Sequence, residues 1–235
     1  MENNPQKKFP KEATVEEDVI LVDKPKGPSS FRALQLLRNQ YDIFKKVKIG
    51  HAGTLDPNAT GLLIVGVGDG TKKLEKYVGL NKTYLAEVLL GTRTDTGDVL
   101  GEVVESQDIL EADYSEDKIT EIVGNFVGKK ILPVPIYSAT KQGGETLYKK
   151  ARAGKKLIQP QREMEIFSSS FINSLLRDSK VYVELELEVS SGTYIRSIAE
   201  EVGKQLGLPA TLSNLRRTKV GEYDVGDAIK ISPSH

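Results

Sequence analysis

Apolar and polar residues follow two spacings along this chain, one typical of strands and one typical of helices. Residues 181–189 carry apolar side chains at every second position, with Tyr182 and three glutamates between them. This alternation predicts a strand with one buried face. Residues 82–90 alternate in the same way. The run Leu62-Leu63-Ile64-Val65 is apolar throughout, which is typical of a strand buried on both faces.

Helical spacing recurs between the predicted strands. Serine and threonine are favoured N-caps, and residues 29–30, Thr71 and Ser115 each precede a helical apolar pattern. Residues 194–206 form the longest such pattern, which ends at Gly207, a typical stop signal. The first of these helices is predicted to bury Phe31, Leu34 and Leu37.

The order of the elements predicts a fold class. Strands joined by short turns, with helices between them, indicate an α+β fold with a mixed, mainly antiparallel sheet. The length of 235 residues is ample for one large domain. The first 16 residues are polar and are predicted to form a flexible tail, which leaves residues 17–235 as one domain.

Charge is distributed unevenly, although the net charge is zero. Residues 129–162 contain nine basic side chains and one acid, a net charge of +8, whereas residues 95–121 contain ten acids and one base. Such asymmetry indicates one face for a polyanion. We predict an RNA-gripping basic arm over residues 131–160. Its candidate RNA-binding lysines are Lys149, Lys150, Lys155 and Lys156.

The composition excludes several kinds of site. The chain has no cysteine, which excludes disulfides, thiolate nucleophiles and cysteine-ligated metals. The two histidines are far apart in sequence, so we expect no metal site. We find neither a signal peptide nor an apolar run long enough to cross a membrane. We therefore expect a cytoplasmic protein that does not bind membranes.

Asp56 is the first candidate for chemistry. It precedes a proline in GHAGTLDPNATGLL (residues 50–63), just before the apolar run. A residue before proline is driven toward extended or turn conformations, so Asp56 is predicted on a stiff loop anchored to a core strand. A simple Asp-Pro turn without function is the alternative.

The motif around Asp56 closely resembles the signature of the TruB family of tRNA pseudouridine synthases. Further blocks match that family in order: LVDKPKGPSS (21–30), KTYLAEVLLGTRTDTGD (82–98), PIYSATKQGGETLYKKARAG (135–154), SSGTYIRSIAEEVG (190–203) and LRRTKVGEY (215–223). Several blocks in one order are far more specific than one short motif. The resemblance implies the pseudouridine synthase fold, with a central RNA-binding cleft.

The resemblance also implies an activity. Members of the family isomerise uridine 55 in the T-loop of tRNA, and their catalytic aspartate falls on Asp56. Nothing is oxidised and no group is imported, so no cofactor is needed. The family's active-site arginine falls on Arg196. An arginine can grip a carboxylate through two parallel hydrogen bonds, although helix position alone would suit a surface arginine.

Further residues receive roles from the same resemblance. Tyr84 is predicted to be catalytic by stacking on the flipped uracil, with core packing as the alternative. His51 is predicted to contact RNA, although a lone histidine is more often structural. Lys24 is predicted to contact RNA phosphate. Ile195 and Leu215 are predicted to line the uracil pocket, and Tyr194 is the remaining predicted RNA-binding residue.

One sequence motif and the function itself each have a competing interpretation. Gly68-Asp69-Gly70-Thr71 is similar to a phosphate loop of NAD and lipid kinases, but we predict a strand-to-helix turn there. Typical family members continue into a PUA domain, and we expect none in this chain. The expected partner is the T-arm of tRNA, and we expect a monomer. The competing functions are an RNA-binding or tRNA-folding module, and a synthase that modifies another RNA uridine.

Overall fold

The computed structural model describes residues 13–109, 114–154 and 157–232. The helices in these ranges are α1 (Ser30–Gln40), α2 (Glu75–Val78), α3 (Glu116–Gly124), α4 (Leu147–Arg152) and α5 (Ile195–Leu206). The strands are β1 (Thr14–Glu16), β2 (Val19–Lys24), β3 (Ile49–Ala52), β4 (Ala59–Val67), β5 (Lys82–Leu90), β6 (Thr92–Thr94), β7 (Val103–Ser106), β8 (Gly128–Pro133), β9 (Lys141–Gln142), β10 (Glu145–Thr146), β11 (Gln161–Arg177), β12 (Lys180–Val189), β13 (Ala210–Val220), β14 (Tyr223–Asp224) and β15 (Ile229–Lys230). None of the described helices is long and apolar enough to cross a membrane.

The fold is mixed α+β with a large, mainly antiparallel sheet, which confirms the predicted class. The chain divides into two compact units. The first comprises Met1–Leu85 and Leu215–His235, and the second comprises Ala86–Asn214. The first unit is therefore discontinuous in sequence, because the whole second unit is inserted between its two parts.

Strand β4 is the centre of the first unit. It pairs antiparallel with β2 and β3, and parallel with β13 through Leu215, Arg216 and Arg217. Strand β2 also pairs with β1 and β15. Because β4 has neighbours along both edges, its backbone hydrogen-bonding groups are largely satisfied without solvent.

Both faces of β4 are covered, as its sequence predicts. Leu63 and Val65 pack with α1 on one face, whereas Leu62 and Ile64 pack with Tyr77 and Val220 on the other. All four residues of the apolar run are fully buried. Side chains alternate between the faces of a strand, so a strand covered on both faces needs apolar residues at every position.

Three local predictions in the first unit are wrong. Phe31 is 67% exposed, and α1 uses Ala33, Leu34 and Leu37 instead. Thr71 donates within a 3-10 helix to the carbonyl of Gly68, and α2 begins later without a side-chain cap. Residues 13–16 do not belong to the predicted tail, since Ala13 is buried and β1 follows it. The remainder of that tail lies outside the described residues.

The 3-10 helix Gly68–Lys72 explains the sequence that is similar to a kinase phosphate loop. A Cβ atom on Gly70 would lie 2.0 Å from the carbonyl oxygen of Asp18. Glycine is therefore required there by close backbone packing. The segment connects β4 to the region before α2, which confirms the predicted strand-to-helix turn.

A long hairpin organises the second unit. Strands β11 and β12 pair antiparallel, and β8 adds to the free edge of β11. The connecting residues Asp178 and Ser179 have φ of 50° and 58°, the left-handed conformations of a two-residue hairpin turn. The alternating burial of β12 confirms the strand predicted from its sequence.

The other elements of the second unit cover this hairpin or extend from it. Helix α3, capped by Ser115 as predicted, packs on β11 and α5. Helix α5 ends at Gly207 in the left-handed conformation, also as predicted. Two small hairpins, β6–β7 and β9–β10, complete the described part of the unit.

Substitution of Gly61 offers a test of how tightly β4 and β13 approach. A Cβ on Gly61 would lie 2.2 Å from the carbonyl oxygen of Arg217, whereas one on Gly27 would meet nothing within 4 Å. Both glycines have positive φ, 104° and 108°, so alanine costs each about 1–3 kcal/mol in backbone strain. Gly61→Ala should lose roughly 1–3 kcal/mol more than Gly27→Ala through overpacking. Urea unfolding measures both losses, and equal losses would contradict the close approach.

Candidate active site

Asp56 lies on the loop of residues 53–58, which connects β3 to β4 in the first unit. The side chain of Asp56 is half-buried. The amide of Ala59 donates to the carbonyl of Asp56 at 3.1 Å, which closes a turn over Pro57 and Asn58. The stiff Asp-Pro turn predicted from sequence is therefore present, and it leads directly into the central strand.

The loop is held by the segment that precedes α1. The Ser30 hydroxyl donates to the carbonyl of Leu55 at 3.0 Å, and the amide of Leu55 donates to the hydroxyl oxygen of Ser30 at 2.8 Å. The amide of Gly27 donates to the carbonyl of Pro57 at 2.9 Å. Ser29 caps α1 and so fixes the segment itself. Two of the sequence blocks, residues 21–30 and 50–63, thus form one structural feature.

Lys24 anchors the same loop from within the core. It is fully buried, and its amino group donates to the carbonyls of Pro25, Pro28 and Pro57 at 2.9, 2.7 and 3.4 Å. An ammonium has three N–H donors, so none remains for a phosphate. The contact of Lys24 with RNA phosphate stays a prediction that these contacts do not support.

Three buried cations surround this region of the first unit. Lys24, Lys82 and Arg217 are each at least 95% buried. Lys82 donates to the carbonyls of Val78 and Leu80. Burial lowers the pKa of Lys24 to about 8, an effect that the charge of Asp56 opposes and that of Arg217 reinforces. Burial and Arg217 also lower the pKa of Lys82 to about 8.

These two lysines predict a rise of stability with pH. Both have folded-state pKa values near 8, below the ordinary 10.5. Between these values the unfolded chain binds more protons than the folded chain, so the free energy of unfolding increases with pH in that window. Denaturant titrations at pH 8 and pH 10 should show the increase in wild type. Lys82→Met should reduce it, and an identical increase in that variant would contradict the assignment.

His51, Tyr84 and Leu215 also belong to the first unit. His51 lies on β3, where burial and Arg217 lower its pKa, and its buried Nδ1 has no hydrogen-bond partner among the described residues. Tyr84 is on the buried face of β5 and only 8% exposed. Leu215 pairs with Ala59, three residues after Asp56.

Arg196 lies in the first turn of α5 in the second unit and is only 5% exposed. One terminal nitrogen donates to the carbonyl of Thr96 at 2.8 Å, and the other donates to that of Tyr137 at 3.1 Å. A surface arginine is therefore excluded. Two carbonyls from different loops orient the planar guanidinium before any substrate is bound.

The residues beside Arg196 are also fixed. Tyr194 precedes α5, and its hydroxyl lies 2.9 Å from the hydroxyl of Thr140. Ile195 is buried. The predicted residues 194–196 therefore lie together with the start of the basic arm in the second unit.

In the described part of the basic arm, three of the four basic residues lie on α4, and the fourth, Lys141, lies on β9. Thr146 caps this helix. The Arg152 guanidinium stacks on the ring of Tyr148 at 4.6 Å, and that ring meets Tyr137 edge to face. Lys149 is exposed and Lys150 half-buried. The predicted Lys155 and Lys156 lie outside the described residues.

No carboxylate or histidine cluster in the described ranges is arranged to hold a metal ion. The first unit offers an anchored carboxylate at Asp56 with the buried Tyr84 and Leu215, and the second unit offers a pre-oriented guanidinium at Arg196. Sequence reasoning missed Ser30 and Arg217 as supports of the Asp56 loop, and it missed the burial of Lys82. Each lies inside a sequence block that resembles the family, which was the available signal.

The sequence and the fold were compared with those of known proteins. Residues 41–195 match the family model described as TruB family pseudouridylate synthase, N-terminal domain. The chain belongs to the TruB family. The resemblance found in its sequence blocks is thereby confirmed, and the model spans Asp56, Tyr84 and Ile195.

Relatives of the TruB family match most of the chain. A protein named tRNA pseudouridine synthase B from Thermotoga petrophila is 41% identical over 213 residues, which cover 91% of this chain and 66% of the relative. A protein of the same name from Bordetella pertussis is 38% identical, with 91% of this chain and 84% of the relative covered. The chain thus spans just under two thirds of the Thermotoga relative.

Solved structures agree with this membership of the TruB family. A Cbf5-Nop10-Gar1 complex contains a chain with a TM-score of 0.67 and 27% identity, covering 97% of this chain and 58% of that one. An H/ACA RNP bound to a substrate RNA gives a TM-score of 0.65 and 25% identity, with 96% and 55% covered. These matches confirm the predicted pseudouridine synthase fold.

Proposed function

We propose that this chain isomerises uridine 55 in the T-loop of tRNA to pseudouridine. The observation that carries the proposal is Asp56, a half-buried carboxylate on a loop whose neighbours Leu55 and Pro57 are held by Ser30, Gly27 and Lys24. Relatives named tRNA pseudouridine synthase B, at 38–41% identity, support the same reaction.

The reaction needs a carboxylate and no imported group. The bond between uracil N1 and the ribose C1′ breaks, the uracil turns, and a bond from its C5 to C1′ forms. The C5 proton leaves and N1 gains a proton, so the atoms balance without a cofactor. Asp56 either attacks the sugar or base or removes a proton from the sugar. A preorganised carboxylate suits each route, because placement within about 0.5 Å governs efficiency.

In this proposal the other predicted residues bind the RNA or hold the flipped uridine. The uridine must leave the stacked T-loop to reach Asp56, and an aromatic ring helps to hold the flipped base. Tyr84 supplies that ring, and Tyr194, Ile195 and Leu215 line the uracil pocket. Arg196 is the counter-ion of Asp56, and His51 contacts the RNA that surrounds the vacated position.

The test is direct. The protein is incubated with an unmodified tRNA transcript, and pseudouridine is mapped by carbodiimide treatment and primer-extension stops. A single new stop at position 55 is expected. A transcript with the T-loop uridine replaced by cytidine serves as control. Absence of the stop from tRNA that the protein demonstrably binds would overturn the proposal.

Two other functions give different results in this assay. An RNA-binding or tRNA-folding module would bind tRNA without producing a stop. A synthase for another RNA uridine would produce stops elsewhere, in a mixture of ribosomal and transfer RNA transcripts.

The proposed synthase function implies a cytoplasmic monomer. Sedimentation at micromolar concentration tests whether the protein is a monomer.

The basic arm should contribute phosphate contacts. Changing Lys149, Lys150, Lys155 and Lys156 to alanine together should weaken tRNA binding and flatten its salt dependence, because each lost contact removes about 0.7–0.9 from the slope of log K against log salt. Filter binding at several salt concentrations measures the slope. Lys72→Ala, at an exposed lysine paired with Asp69 in the first unit, serves as control. An unchanged slope in the quadruple variant would show that these lysines are only solvated surface.

A further inference from the structure

Arg217 is a fully buried arginine in contact with both sides of the Asp56 loop. Its Nε donates to the carbonyl of Leu62 at 2.8 Å, inside β4, and a terminal nitrogen donates to the carbonyl of Gly53 at 2.9 Å. Gly53 begins the loop of residues 53–58, whereas Leu62 lies beyond its end. One guanidinium thus joins the backbone before Asp56 to the backbone after it.

The backbone is shaped closely around this guanidinium. Gly53 has a φ of 74°, and a Cβ atom on it would lie 3.4 Å from the second terminal nitrogen of Arg217. Gly61 pairs with Arg217 in the parallel register between β4 and β13. At Gly61 the two backbones are too close for a side chain, and at Gly53 the guanidinium lies at ordinary contact distance, so Arg217 is packed against both segments that it joins.

The charge of Arg217 also requires an explanation. Within the described residues it forms no ion pair with a carboxylate, and its charge lowers the pKa values of Lys24, Lys82 and His51. A buried uncompensated charge is costly, and an apolar residue of similar volume often serves stability better. A buried cation at this position therefore indicates a use beyond filling space, and Asp56 is the only acid in residues 53–58.

We propose that Arg217 is a positioning residue that fixes the Asp56 carboxylate for catalysis by bridging the two ends of its loop. The proposal rests on the proposed synthase function. Arg217 itself touches no substrate and acts through the backbone of Gly53 and Leu62. A displacement of about 1 Å at a reacting group can cost roughly a hundredfold in rate, so loss of the bridge reduces kcat more than substrate binding.

A purely structural arginine would behave differently. Its loss would lower the melting temperature and would change kcat, KM and RNA affinity together, because the whole first unit would loosen. A positioning residue instead separates kcat from KM. Its loss also loosens a single loop, while distant backbone amides remain protected from hydrogen exchange.

The test compares Arg217→Lys with Arg216→Lys. Lysine keeps the charge but cannot bridge two carbonyls with a planar fork. The control residue Arg216 is the neighbour on the same strand, and both of its terminal nitrogens bind Asp23, at 3.1 and 2.8 Å. Each variant is assayed for kcat and KM on a tRNA transcript and for hydrogen exchange by mass spectrometry, with peptides that cover residues 53–60 and α3.

Arg217→Lys should lower kcat by about a hundredfold and change KM by less than about threefold. Exchange should accelerate at least tenfold in residues 53–60 and remain unchanged in α3. Arg216→Lys should leave all three measurements within about threefold of wild type. Unchanged loop exchange, or equal losses in kcat and RNA binding, would overturn the proposal.

Gly53→Ala provides a second variant that keeps Arg217 in place. With a φ of 74° at this position, alanine strains the backbone that Arg217 holds. Therefore kcat should fall with KM preserved, and an unchanged kcat would overturn the proposal even if Arg217→Lys did not fold. Hydrogen exchange of residues 53–60 can be measured whether or not the protein is catalytically active. If wild type produced no pseudouridine, the proposed function would fail, while loop exchange would still decide whether Arg217 positions Asp56.

Discussion

Asp56→Asn should abolish pseudouridine formation while tRNA affinity stays within about fivefold of wild type. The hydrogen bonds that anchor the loop use the backbone of Gly53, Leu55 and Pro57, and asparagine leaves all of them available. Asparagine keeps the shape of the side chain but removes the carboxylate charge that each of the proposed routes needs. A loss of roughly a thousandfold or more, at least about 4 kcal/mol of transition-state stabilisation, is expected.

Single-turnover kinetics with excess enzyme and filter binding of the same tRNA measure the two effects separately. Asp69→Asn is a suitable control, since that acid is exposed in the same unit and its carboxylate pairs with Lys72. It should retain the wild-type rate. A near-wild-type rate for Asp56→Asn would remove Asp56 from the mechanism.

Arg196→Lys should lower the rate by a factor on the order of 10²–10³. Lysine keeps the positive charge, but a single ammonium cannot donate to the carbonyls of Thr96 and Tyr137 and also present two parallel donors to a carboxylate. The variant should remain folded, because the lysine amino group can still reach one of the two carbonyls.

The control for Arg196 is Arg93→Lys in the same unit. Arg93 forms an exposed ion pair with Glu105 at 2.8 Å, and such pairs contribute little to stability. Turnover of Arg93→Lys should match wild type, and melting curves should show that both variants fold. If Arg196→Lys turned over at the wild-type rate, the proposed pairing of this arginine with Asp56 would be wrong.

Sequence periodicity succeeded where one physical requirement dominated. Strand β12 has one buried face, so apolar and polar residues alternate along its sequence. The turn at Asp178 and Ser179 precedes it. Strand β4 is buried on both faces and shows an unbroken apolar run. The caps of α1 and α3 were found because serine oxygens accept hydrogen bonds from the first helical turn.

Strand β11 shows why other parts could not be predicted. It is 17 residues long, yet its pairing with β12 shifts register between Ile166 and Ser168 and again between Phe171 and Asn173. Each shift moves later side chains to the opposite face. Phe167, Ile172 and Leu176 are also exposed, so no steady alternation remains.

The candidate site was predicted unevenly for a related reason. Asp56 and Arg196 stand in motifs distinctive enough to assign from sequence. The supporting role of Arg217 and the burial of Lys82 were not predicted, because lysine and arginine are nearly always at least partly exposed and the sequence alone gives no sign of their burial. Only the parallel pairing of β13 with β4 brings Arg217 beneath the loop.

The discontinuous first unit has a consequence for how the protein is made. The Arg217 contact with Gly53 joins residues 164 positions apart, whereas Lys24 and Ser30 reach the loop from 33 and 25 positions away. Ribosomes deliver residues in order, so a nascent chain can form the nearer contacts early, and the farthest one only after the whole second unit has emerged. Closing so large a loop is slow. The loop around Asp56 therefore receives its last contact only after β13 has been synthesised.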